Sequence, residues 1–133
     1  MLSSKLLAEW LTAKTQTMPL PLVFEVGPDV SEYLVNDKSG VITVVSGFGS
    51  EMEDLVDRPV FQVRVRAREH QLDELEQTAQ LLDRVLCREA GGQAIWGTWV
   101  IAVARTGPGP TALQEDTSER RAFACNYFAR VEL

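Results

Sequence analysis

Leu2, Leu6, Leu7, Trp10 and Leu11 recur at three- and four-residue steps, which puts them on one stripe and predicts a helix over about Ser4 to Lys14. Ser3 or Ser4 supplies the N-cap oxygen. Pro19 and Pro21 then exclude helix, and Leu22, Phe24 and Val26 alternate with Val23 and Glu25 as a strand that stops at Gly27-Pro28. After the turn signal Asn36 to Gly40, the β-branched run Val41 to Val45 reads as a strand covered on both faces.

The cleanest alternation starts after Arg58-Pro59. Phe61, Val63, Val65 and Ala67 face one way, and Gln62, Arg64, Arg66 and Arg68 face the other. Leu72, Leu75, Ala79, Leu82 and Leu86 follow at helical spacing, predicting a helix of about five turns that Gly91-Gly92 ends with a left-handed cap. Trp96 to Arg105 reads as one strand, with Trp96, Val100, Ala102 and Ala104 on one side and Trp99, Ile101 and Val103 on the other. A polar Pro/Gly loop runs to about Arg120. The last strand then sets Phe123, Cys125, Tyr127 and Val131 against Asn126, Phe128 and Arg130. Phe61, Val63, Leu75, Leu82, Ile101 and Phe123 are the expected core where sheet and long helix meet. This order predicts an α+β fold, a mainly antiparallel β-sheet packed against two helices on one face, in a single domain over 1–133.

Composition changes this picture little: 45% apolar and 24% charged is ordinary for a globular chain of 133 residues. No apolar run reaches the roughly 18 residues of a membrane span, and the N-terminal segment has no signal-peptide core, so a cytoplasmic origin without membrane contact is expected. Cys87 and Cys125 are expected as reduced thiols without a disulfide. A net charge of −6 argues against a nonspecific nucleic-acid binder, which needs excess Lys and Arg to displace phosphate counterions.

Candidate chemistry is sparse. The one histidine, His70, lacks a neighbouring nucleophile and reads as solvated, and with Cys87 and Cys125 it forms no zinc-ligand spacing. Gly47-Phe48-Gly49 lacks the lysine and helix of a phosphate loop, and Glu51, Glu53, Asp54 and Asp57, which follow it, would repel phosphate. No catalytic, cofactor or metal site is expected. The row Arg64, Arg66, Arg68 has two readings: a solvent-facing sheet edge blunted by charge, or a stripe that meets carboxylates of a neighbouring chain. The loop from Gly47 to Asp57 is the candidate partner. It either clasps a neighbour's arginines or lines a lumen, and in both cases orders on assembly. Patches of opposite sign on one subunit suit a head-to-tail ring.

Two segments carry a family likeness. Arg58-Pro59-Val60-Phe61-Gln62-Val63-Arg64-Val65-Arg66 followed at once by a long amphipathic helix resembles the middle of tail terminator proteins of long-tailed bacteriophages, the minor tail or minor capsid proteins. The Pro/Gly loop leading to Asp116, Arg120, Arg121 and the aromatic strand Phe123 to Tyr127 is similar to their C-terminal part, and the Leu6, Leu7, Leu11 helix to their start. The segment Gly27 to Ser50 lies outside the likeness, and Cys125 stands where a small polar residue is expected. The resemblance implies a non-enzymatic virion structural protein of the tail at the head–tail junction, assembled in the host cytoplasm. Such a protein is a homo-hexameric ring that caps the tail tube protein, ends its polymerisation and meets the head-completion or connector protein, while DNA passes through without sequence-specific binding. A head-closure adaptor is the neighbouring alternative. A small ligand-binding module, with Trp96 and Trp99 lining its pocket, is the alternative of a different class.

Overall fold

The computed structural model describes residues 2–27, 39–45, 56–113 and 120–132. Ser4–Thr15 forms α1, and the Ser3 side chain accepts from the Leu6 N–H at 3.2 Å as its N-cap. The strands are Val23–Val26 (β1), Ser39–Val45 (β2), Val56–Asp57 (β3), Val60–Arg68 (β4), Gln93–Ile95 (β5), Thr98–Arg105 (β6), Thr111–Leu113 (β7) and Arg120–Glu132 (β8). A 3-10 turn, Glu69–Gln71, leads from β4 straight into α2, Leu72–Glu89, and the chain leaves that helix through Gly92 at φ +78°. The α+β class is as expected: the described residues form two helices and one eight-stranded sheet.

The sheet order is β1-β2-β4-β8-β6-β5, with β3 and β7 also paired to β8. Among the described residues every pairing is antiparallel except β1 with β2, which is parallel. Val131 pairs with Val100 of β6 and with Asp57 of β3, so β3 lies on the β4 side of β8. Ala124 pairs with Arg64 of β4 and with Thr111 of β7, so β7 lies on the β6 side.

Both helices cover one face. Leu7 and Leu11 of α1 and Leu75, Leu82 and Leu86 of α2 are buried with Phe61, Val63, Val65, Phe123, Cys125, Tyr127 and Val131 of the sheet. The expected core stands for Phe61, Val63, Leu75, Leu82 and Phe123 but not for Ile101, which is only half-buried. The reason is a bulge between Val100 and Ala102. The inserted residue breaks the two-residue alternation, so Val100 and Val103 share the core face and Ile101 is displaced from it.

The single strand expected from Trp96 is also corrected. β5 and β6 form a hairpin with Ile95 opposite Thr98, and Trp96-Gly97 is its two-residue turn, at φ 58° and φ 80°. Positive φ at both positions is the twist that joins antiparallel strands most easily, though an indole rarely takes the first of them. Packing explains it here. Trp96 is buried, edge-on to Trp10 at 5.3 Å and to Phe61 at 6.2 Å, and its carbonyl accepts from the Ser3 N–H at 2.8 Å. β7 interrupts what reads in the sequence as a continuous polar loop.

The outer edge of β1 is guarded from within the chain. Phe24 N–H donates to Thr12 Oγ1 at 2.9 Å and Leu22 N–H to Thr15 Oγ1 at 3.0 Å, so two threonines of α1 occupy donors that an open edge would offer to another strand.

Candidate functional site

The sheet face opposite α1 and α2 carries the arginines of β4. Their strand lies between β2 and β8 and is not an edge, which removes the blunted-edge reading. Arg64 and Arg68 are half-buried, whereas Arg66 is fully buried. Arg66 is flanked across the ladders by Ser39 and Ala122, and Arg64 by Val41 and Ala124. Val41, Ala122 and Ala124 are buried as well, and alanines beside a guanidinium stem leave it room to lie along the sheet. All three arginines have interaction partners. Beside them Gln62 Nε2 donates to Asn126 Oδ1 at 3.2 Å, and at the end of the ladder Arg121 Nη2 lies 2.7 Å from Glu69 Oε1.

Of the acidic candidates, Glu51, Glu53 and Asp54 lie outside the described residues, as does most of the loop from Gly47. Asp57 is half-buried in β3, and its Oδ1 accepts from the Arg58 N–H at 2.8 Å. The structure thus places Asp57 beside the end of β8, away from the arginine row, which it does not join. His70 is exposed in the 3-10 turn.

A second cluster escapes sequence reading. Asp83 on α2 accepts from the Tyr127 hydroxyl at 2.9 Å, lies 3.9 Å from the Sγ of both Cys87 and Cys125, and faces Arg105 Nε at 3.6 Å. Cys125 Sγ also lies 3.7 Å from the Pro108 carbonyl. The two cysteines are free. Burial raises both thiol pKa values above the ordinary range, and for Cys87 the Asp83 carboxylate adds to this. Burial likewise pushes the Tyr127 hydroxyl far up, reinforced by its hydrogen bond with Cys125. Thiols held protonated are poor nucleophiles and poor metal ligands. Among the described residues no group of three or more His, Cys, Asp or Glu is placed to hold a metal ion. The cluster's evident work is mechanical: it fastens α2 to β8 and fixes the base of Arg105.

Above it opens a cleft of about 750 Å³, walled by α2 on one side and by the end of β6, the Pro108–Pro110 turn and β7 on the other. Arg84 and Arg88 project from α2 and Arg105 from β6. Trp96 and Trp99 do not line it. Trp96 is in the core and Trp99 is exposed on β6. The signals that could have found the site are the helical i, i+4 pairs Asp83/Cys87 and Arg84/Arg88, but only the topology brings Tyr127 and Arg105 to them.

Among the described residues no helix is long and apolar enough to cross a membrane. No family model matches the chain, and no curated protein matches it.

Proposed function

We propose that the protein is a virion structural protein, a tail-terminator-like subunit that closes into a homo-hexameric ring on the phage tail tube, stops its growth and presents a surface to the head-completion protein. The observation that carries this reading is the segment from Arg58 to Glu89, where a central strand runs through one 3-10 turn into the longest helix. That is the arrangement expected of the sequence stretch bearing the family likeness. On the sheet face opposite α1 and α2, Arg64 and Arg68 stay partly exposed and offer charge to tube or neighbour, while Arg66 is buried. Since a fold hosts many functions, the likeness in sequence and not the architecture gives the reading its direction.

The test is assembly. Native mass spectrometry and negative-stain microscopy of the chain, alone and mixed with the tail tube protein, should show rings of six copies and tubes of limited length. A chain that stays monomeric in both conditions while tubes grow without limit refutes the proposal. The cleft favours a second reading, a module that binds a small anion. A monomer stabilised against heat by such an anion would decide for it.

A further inference from the structure

Arg84 and Arg88 stand four residues apart on α2, and like charges at that spacing repel each other. Neither has an ion-pair partner among the described residues, while Arg105 is held at the same cleft by Asp83. A chain of net charge −6 therefore keeps three guanidinium groups around one open groove, with Asp83 the single carboxylate among its described lining residues. Such a site is complementary to an anion that arrives from outside.

The spacing selects the kind of anion. Four helical residues rise about 6 Å, and alternate residues of an extended chain lie about 7 Å apart on one side. A peptide with carboxylates at i and i+2 therefore matches Arg84 and Arg88, each of which can grip a carboxylate with two parallel N–H bonds. The chain contains such a peptide in Glu51-Met52-Glu53, followed by Asp54.

Topology determines whose peptide it is. Residues 46–55 connect β2 to β3, and both of those strands lie on the β4 side of β8. The cleft is built from β6, β7 and α2, on the other side of β8. The basic cleft and the anchors of the acidic segment are thus on opposite flanks of one subunit. We infer that the cleft formed by Arg84, Arg88 and Arg105 receives the acidic segment Glu51–Asp54 of a second copy of the chain, head to tail. This rests on the ring reading above and names its clasp: exposed arginines of α2 and β6, in addition to the sheet-face row.

The probe is a synthetic peptide of residues 47–57, titrated into the full chain and followed by fluorescence anisotropy. A control peptide carries Glu51→Gln, Glu53→Gln and Asp54→Asn. The acidic peptide should bind at least tenfold more tightly than the control, and more weakly as salt is added. Arg84→Glu with Arg88→Glu should reduce the affinity at least tenfold. If that variant folds poorly, Arg84→Gln with Arg88→Gln takes its place. In assembly, Glu51→Arg with Glu53→Arg should break rings, and combining both reversals in one chain should restore them. Equal binding of the two peptides, affinity unchanged by the arginine variants, or displacement of the peptide by an equal concentration of inorganic phosphate would overturn the inference. Rings that persist in the Arg84/Arg88 variant without peptide binding overturn the clasp and leave the ring. A monomeric wild type that still binds the peptide overturns the ring, and the clasp as a contact between copies, and supports only the cleft's selectivity for the acidic segment.

Discussion

Replacing Trp96 tests the hairpin geometry and the core together. The indole is buried and meets two other aromatic rings edge-on, so Trp96→Ala removes the anchor of the β5–β6 turn. A tryptophan buries about 150–250 Å², which at about 25 cal/mol per Å² is about 4–6 kcal/mol as an upper bound. Large-to-small changes of this kind cost about 3–5 kcal/mol in practice. Part of the indole's gain is cancelled because its Nε1–H, though buried, has no acceptor among the described residues, so the lower half of that range is expected. The backbone supplies a sharper discriminator. At φ 58° an L-residue is strained by about 1–2 kcal/mol, which alanine keeps and glycine sheds. Glycine loses about 0.4–1 kcal/mol more in unfolded-chain entropy, leaving Trp96→Gly more stable than Trp96→Ala by about 0.5–1 kcal/mol. Urea unfolding followed by circular dichroism measures both, and with a slope of roughly 2 kcal/mol per M the alanine variant should lose about 1.5–2 M in midpoint. A glycine variant less stable than the alanine one refutes the left-handed turn. An alanine variant costing under about 1 kcal/mol refutes the buried anchor.

Leu82→Ala, at a core position of α2 that is 2% exposed, should cost about 2–5 kcal/mol in the same assay. Thr15→Val keeps the shape but strips the acceptor from the buried Leu22 N–H, and should cost about 1–3 kcal/mol, whereas an equal change at exposed Thr17 should stay within about 0.5 kcal/mol. Tyr127 has its hydroxyl pKa raised by burial, so its contribution to stability is full below the unfolded value near pH 10 and declines as pH rises above it. Tyr127→Phe should therefore flatten the alkaline loss of stability measured from pH 9 to 11, and a variant whose alkaline slope equals the wild type's would show that Tyr127 is not its source.

Much of the fold was legible because one periodicity dominated each segment. The stripe from Leu2 to Leu11, the alternation from Phe61 to Ala67 and the stripe from Leu72 to Leu86 each fit one template, and each element formed. Reading failed where a single residue overrides the period. The bulge at Val100/Ala102 is one extra residue in an otherwise apolar run, with no polar position to mark the slip. Trp96 takes a turn position usually given to Asn or Gly, because its side chain gains more in the core than its backbone loses. The position of β4 inside the sheet, and with it the burial of Arg66, depends on β8 returning from over fifty residues away, which no local pattern encodes. For the same reason the Asp83 cluster joins residues that are ordinary on their own elements. The candidate interface was legible only as charge, and the topology adds a second group of arginines, Arg84, Arg88 and Arg105, around one cleft.

The placement of β8 also bears on how the chain is made. β4 and β6 do not pair with each other. They are held as neighbours of β8, the last strand in sequence, which also takes β3 and β7. During synthesis the sheet therefore stays in two separate parts, with the facing edges of β4 and β6 unpaired, until residues 120–132 have cleared the ribosomal exit tunnel. Pairings over such separations close slowly, and exposed edges attract wrong partners meanwhile. Among nascent chains crowded on one message, those wrong partners would be sister copies, so the yield of native protein should fall with translation density well before it responds to changes on the folded surface.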